Sequence, residues 1–159
     1  RKLSLNIRGL TALFGHAGIE WDVSQANPEE REILAGWARY YKENRELLHS
    51  GKVVRLEQPE PGVFISGVIS HDRRRGILAY VAEQTLDGSN APRFVIPGLE
   101  RETRYMVKAS YPSGKPLHSK TLPQWMEGVE VSGSVLSEVG LLAPVLAPEY
   151  GFIIELKAI

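Results

Sequence analysis

Apolar residues recur at Leu3, Ile7, Leu10 and Phe14, with Leu13 widening the stripe. Spacings of three and four place them on one face of a helix. Gly15 and Gly18, on either side of His16 and Ala17, interrupt that pattern. The period then becomes two: Ile19, Trp21 and Val23 alternate with Glu20 and Asp22, which predicts a short strand over 19–23. Asn27 follows as an N-cap, Pro28 suits the first helical position, and Glu29 and Glu30 suit the positive end of the helix dipole. Glu30 stands three residues after Asn27, the spacing of a capping box. Ile33, Leu34, Trp37, Tyr40, Tyr41, Leu47 and Leu48 give a broad apolar stripe, Lys42, Arg45 and His49 populate the last turns, and Gly51 is a suitable stop. A helix of about 20 residues would run about 30 Å.

From Lys52 onward the rhythm is of short strands and turns. Strands are predicted at Val53 to Leu56, Val63 to Ser70, Ile77 to Gln84, Arg93 to Ile96, Tyr105 to Tyr111, Val129 to Val139 and Gly151 to Leu156. Asp72 to Gly76 reads as a hairpin turn, and Pro97-Gly98 suits a type II turn. Residues 86–92 read as a polar loop, and 117–128 are the least regular stretch. The expected fold is mainly β. Residues 52–159 form an antiparallel, Greek-key-like sandwich of about seven strands. Residues 1–51 precede it as a helix-strand-helix segment, the rhythm of an α/β barrel or an open α/β sheet. One strand cannot make a parallel sheet, so its partners are expected upstream. A chain that opens on Arg1 and reads like the interior of a fold from its first residues is expected to be the tail of a larger protein.

Composition narrows the function. The 159 residues carry 19 Lys plus Arg against 19 Asp plus Glu, a formal charge of zero. That balance disfavours nucleic acid or an acidic membrane as partner. Cysteine is absent, so there is no disulfide framework, thiolate metal site or thiol nucleophile, which is compatible with a cytoplasmic protein. No apolar run approaches the roughly 20 residues of a membrane span.

Several stretches resemble the C-terminal part of glycoside hydrolase family 36 α-galactosidases. They are Arg8 with Thr11-Ala12-Leu13-Phe14-Gly15-His16, then Gly18-Ile19-Glu20-Trp21-Asp22, then Tyr41-Lys42 with Arg45 and Leu47-Leu48-His49-Ser50-Gly51. Farther on are Pro97-Gly98-Leu99 ahead of Tyr105, and Gly140-Leu141 followed by Pro144 and Pro148-Glu149. The resemblance implies an N-terminal β-supersandwich, a central (β/α)8 barrel and a C-terminal antiparallel β domain. The chain would supply the last barrel segment, to Gly51, and the β domain from 52. It also implies retaining hydrolysis of terminal α-D-galactosides such as melibiose and raffinose, without a cofactor. The implied nucleophile, an Asp in a Lys-x-Asp motif, and the implied acid/base, a second Asp, both belong upstream of Arg1. No catalytic residue is therefore expected in this chain, and its partners would be the upstream barrel of the same protein and, through it, the carbohydrate. A homo-oligomer stays open. So do a noncatalytic carbohydrate-binding module and the C-terminal part of a raffinose synthase or an α-N-acetylgalactosaminidase.

Glu20 and Asp22 are the residues that most invite a catalytic reading. On a strand both would project to one face with Cα atoms about 6–7 Å apart, and retaining glycosidases hold their carboxyl groups about 5–5.5 Å apart. Glu20, however, stands where the nucleophile motif has Lys. The competing readings are hydrogen bonds to backbone or arginine, a cap on the next helix, or a supporting role behind the catalytic carboxylates at a strand end. His16, His49, His71 and His118 form no ligand-spaced pair, so no metal site is expected. Arg73-Arg74-Arg75 reads as a solvated hairpin tip. Trp125 either stacks on a sugar or plugs an interface, and Tyr80, Tyr105 and Tyr111 alternate as half-buried strand residues. No Gly-x-Ser-x-Gly elbow, phosphate loop or dinucleotide fingerprint occurs. The apolar faces of Leu3 to Leu48 need cover, so this segment is expected to fold back on the β domain, pair with another chain or be poorly ordered.

Overall fold

A computed structural model describes residues 3–57, 60–84, 92–114 and 122–159. Its first part is helical. Helix α1, Leu5–Ala12, is capped by Ser4, whose side chain accepts from the Ile7 amide. Helix α2 runs Pro28–Ser50 and begins with the expected capping box: Asn27 Oδ1 accepts from the Glu30 amide, and Glu30 Oε2 accepts from the Asn27 amide, both at 2.9 Å. The helix stops at Gly51, which has φ −69 and so does not use the left-handed conformation that favours glycine. Its need is space: a Cβ there would lie 2.7 Å from Leu47 O and 3.0 Å from the Val68 side chain.

The remainder builds eight strands among the described residues. They are β1 Lys52–Arg55, β2 Val63–Ile69, β3 Arg75–Ala82, β4 Arg93–Phe94, β5 Arg104–Ser110, β6 Val129–Ser132, β7 Leu141–Leu142 and β8 Tyr150–Ala158. Six form one antiparallel sheet in the order β1-β2-β3-β8-β5-β6, and β4 pairs with β7 in a two-stranded sheet. β8 enters between β3 and β5, with Leu78 opposite Ile154 and Val107 opposite Leu156. The last strand thereby joins a β1-β2-β3 meander to the β5-β6 pair.

The expected sandwich acquires two corrections of detail. Val129 to Val139 is two elements, β6 and a short helix α3, Gly133–Glu138. Ser132 starts that helix by accepting from the Val135 amide, a local cap that competes with continuing the ladder. The second layer is also smaller than a full sheet. It consists of the β4-β7 pair, α3 and the loops around Ile96, Leu99 and Leu146, packed on one face of the main sheet. Pro97-Gly98 turns as predicted, with Gly98 at φ +83.

The main sheet is buried on both faces, and its pleat sorts the side chains. Leu78, Tyr80, Phe152, Ile154 and Leu156 face the small sheet. Ile77, Ala79 and Ile153 face the helices, where they meet Leu10, Trp37 and Leu48. Residues 3–51 thus fold back on the β region, one of the outcomes open from sequence. The two helices approach closely, since a Cβ on Gly9 would lie 2.5 Å from the Trp37 indole, and α2 also packs on the turn after β5, where a Cβ on Gly36 would collide with Pro112 O.

Candidate functional site

The helix α1 closes with the Leu13 amide on Gly9 O, and the chain then runs through 16–22 without joining a ladder among the described residues. The strand predicted at Ile19 to Val23 is therefore not paired. A strand is stabilised by neighbours, and none is present beside this segment. Its apolar residues remain open, with Ile19 53%, Trp21 41% and Val23 48% exposed.

Glu20 and Asp22 have different surroundings, although alternation suggested one shared face. Asp22 caps a 3₁₀ turn over Val23–Gln25, its Oδ1 accepting from the Ser24 amide at 3.0 Å. Hydrogen bonds from the Ser24 side chain and then the Ser24 backbone hold its carboxyl below the ordinary Asp range. Glu20 lines a groove instead. That groove, of about 480 Å³, lies between α1, residues 17–21 and α2, and Leu5, Leu13, Ile19, Leu34 and Trp37 supply much of its apolar lining. Arg8, Lys42 and Arg45 also line it. Among the described residues, none of these three cations has an ion-pair partner. The chemistry available there is apolar contact and attraction of anions, with one carboxylate, Glu20, on the wall.

Other expectations resolve plainly. His16 and His49, which the sequence left unconnected, stack with centroids 5.2 Å apart, and Tyr41 Oη lies 2.7 Å from His49 Nε2. Residues 33 positions apart give no local signal for this; the fold-back of the loop after α1 onto the end of α2 creates it. Among the described residues no group of three or more His, Cys, Asp or Glu could hold a metal ion. His118 lies outside the described residues. The Arg73 to Arg75 tip is exposed but anchored: Arg73 pairs with Glu100 at 2.7 Å, Arg75 donates to Asn44 Oδ1 at 3.0 Å, and Arg73 O accepts from Tyr105 Oη at 2.7 Å.

The aromatic residues considered for sugar stacking belong to the interior. Tyr80 and Tyr105 are fully buried, and Tyr111 packs against the same core. Trp125 donates its indole N–H to Leu142 O at 2.9 Å and meets Phe94 and Phe152, so it ties β7 to the main sheet. No planar row of exposed rings arises from these four residues. A second, polar hollow of about 460 Å³ opens where α2 leaves the sheet, beside Tyr40, Arg75, Lys108 and Glu155. Burial first, and then the Glu155 charge, push the Tyr40 phenol well above its ordinary range, so it stays protonated. Lys108 and Glu155 pair there at 3.6 Å.

These features define an antiparallel β region with a helical flank whose outer surface is an open, cation-lined groove. No protein-family model matches the chain. Among curated proteins, the chain is 34% identical to an alpha-galactosidase of Escherichia coli over 165 aligned residues, covering 99% of this chain and 23% of that protein. It is 31% identical to alpha-galactosidase AgaA of Geobacillus stearothermophilus over 111 residues, 68% of this chain and 15% of that protein. Among solved structures, an alpha-galactosidase from Lactobacillus brevis matches the whole chain with a TM-score of 0.80 at 25% identity, over 20% of its own length. A substituted Geobacillus stearothermophilus AgaA, solved in complex with raffinose, matches in fold with a TM-score of 0.79 at 22% identity, again over 20% of its length. The chain spans less than a quarter of the curated relatives it matches. In sequence and in fold it corresponds to the C-terminal part of family 36 glycoside hydrolases, the α-galactosidases.

Proposed function

We propose that this chain is the C-terminal part of a retaining α-galactosidase and that it supports catalysis without performing it. The whole enzyme would cleave terminal α-D-galactosides through a covalent galactosyl-enzyme intermediate, with two carboxylates supplied by the rest of the polypeptide. Residues 1–51 would complete the catalytic barrel, and residues 52–159 would brace it. The observation that carries this reading is the 34% identity maintained over 99% of the chain against less than a quarter of an α-galactosidase. The placement of Asp22 agrees with it, since a carboxylate occupied in capping Ser24 is not set up as a nucleophile. The buried state of Tyr80, Tyr105 and Trp125 favours bracing over a carbohydrate-binding module.

Two measurements test it. The chain alone, at high concentration with a chromogenic α-galactoside, is expected to give no turnover. Turnover abolished by Glu20→Gln or Asp22→Asn would refute the noncatalytic role. A chimera in which this chain replaces the matching segment of the Escherichia coli relative is expected to hydrolyse the same substrate. A folded chimera without that activity would refute the α-galactosidase assignment.

A further inference from the structure

In the antiparallel ladder between β3 and β8, Arg75 stands directly opposite Lys157. Alternate residues of a strand share a face. Arg75 therefore lies on the side of Ile77 and Ala79, and Lys157 on the side of Ile153 and Glu155, which is the side the helices cover. Opposed side chains have Cβ atoms about 4.5–5.5 Å apart, and like charges in that position repel. Neither cation is in an ion pair among the described residues. The Arg75 guanidinium donates to Asn44 Oδ1 at 3.0 Å, an amide oxygen without charge.

Both side chains line the polar hollow of about 460 Å³ beside α2, and Tyr40 lines it from the helix. Tyr40 is 8% exposed, and its Oη is shut off from solvent without a hydrogen-bond partner among the described residues. Burial acts most on this phenol, then Glu155, and the charges of Arg75 and Glu43 reach it as well. All three of those residues line the hollow, so Oη lies among them. Glu155 pairs with Lys108 at 3.6 Å and makes no hydrogen bond of ordinary geometry to the phenol. The protonated phenol is thus a buried donor without an acceptor, an arrangement that costs free energy until one arrives. With Glu155 paired, Arg75 and Lys157 face Glu43, which leaves a surplus of one positive charge in the hollow.

We propose that the hollow binds a small monocarboxylate, set between Arg75 and Lys157 and accepting a hydrogen bond from Tyr40 Oη. Each feature selects that ligand. The opposed cations gain a shared counterion, and the buried hydroxyl gains an acceptor. A surplus of one charge suits one negative charge, whereas Glu43 and Glu155 repel a dianion. The assignment rests on the hollow alone and not on the α-galactosidase reading.

Fluoroacetate is the probe, and its fluorine-19 line width is followed at constant ionic strength. The chain is expected to broaden the line saturably, with a dissociation constant on the order of 10 mM. Acetate should reverse the broadening and chloride should not. Arg75→Gln with Lys157→Gln should weaken binding about tenfold or more, and Tyr40→Phe about threefold. If the double variant fails to fold, Lys157→Gln alone decides, because that side chain is exposed and has no ion-pair partner among the described residues. It should weaken binding about threefold. No saturable broadening, reversal by chloride as effective as by acetate, or an affinity untouched by these replacements overturns the proposal. Inorganic phosphate that competes more than about tenfold better than acetate overturns the carboxylate in favour of phosphate. The same titration on the folded chimera tests the source. Binding kept there supports a free ligand. Binding lost there and retained by the chain alone overturns it in favour of a carboxylate side chain from the rest of the polypeptide.

Discussion

The face of the main sheet under β4, β7 and α3 is organised around rings. Tyr80 stacks on Phe152 at 5.0 Å, Phe94 approaches Tyr80 and Trp125, and the two polar tips, Tyr80 Oη and Trp125 Nε1, end on carbonyls of Pro144 and Leu142. The opposite face is organised around aliphatic side chains under two helices, with Leu10 wholly buried and Trp37 beneath Gly9. The first face is complete in itself: its large residues are covered and its buried ring polar groups have acceptors. The second is complete only toward the sheet, since the outer surfaces of α1 and α2 still carry an open groove. A layer closed on its outward side and a layer that carries an open groove on its outward side therefore share one sheet. The difference lies in what each does with its outward side.

The comparison can be broken most forcefully on the aromatic side. Phe152→Ala should cost about 3–5 kcal/mol, because it removes a ring contacted by Tyr80, Tyr111 and Trp125. Urea unfolding followed by far-ultraviolet circular dichroism measures it, and a loss below about 1 kcal/mol would mean that this face is not the self-sufficient core. Leu10→Ala on the helical side should cost about 2–3 kcal/mol, near the lower end for buried leucine, since α1 meets the sheet through few residues. Hydrogen exchange should then show faster exchange in α1 than in β8. Asn27→Ala should cost about 1 kcal/mol through the lost capping box, and Asn27→Ser should restore most of it.

Acid gives the smallest and most local contrast. Asp72, in the hairpin between β2 and β3, accepts from Ser70 Oγ at 2.6 Å and from the Arg74 amide at 3.0 Å, and these bonds, the Ser70 contribution first, lower its pKa. A depressed carboxylate binds its proton more readily in the unfolded chain. Its contribution is therefore present above about pH 4 and lost as pH falls through the lower folded value. Asp72→Asn should flatten the acid limb of the urea midpoint below about pH 4. Asp22→Asn, on the unpaired segment, should change Trp21 emission in the same range and leave the global midpoint alone. Equal effects of both on the midpoint would mean that the groove wall is part of the cooperative core.

What was legible in the sequence follows the range of the forces involved. The capping box at Asn27 and Glu30, the turn at Gly98, and most strand positions rest on contacts within a few residues, and these stand where the sequence put them. The helix α3 was missed because Val129 to Val139 is apolar enough for a strand, and only the Ser132 cap and its seat against Thr103 and Arg101 decide otherwise. Glu20 and Asp22 were drawn together by alternation. Alternation holds only on a paired strand, and here Asp22 turned to the Ser24 amide while Glu20 kept to the groove.

By itself the sequence determined most strand positions, the capped start of α2, the antiparallel β character and the resemblance to one glycosidase family, because local backbone preference and side-chain period are written residue by residue. Tertiary structure alone decided that β8 divides β3 from β5, that Trp125 joins two layers, that His16 meets His49, and that an unpaired segment and three cations share one groove. Those facts depend on which surfaces meet across many residues of chain, and no local pattern encodes a meeting.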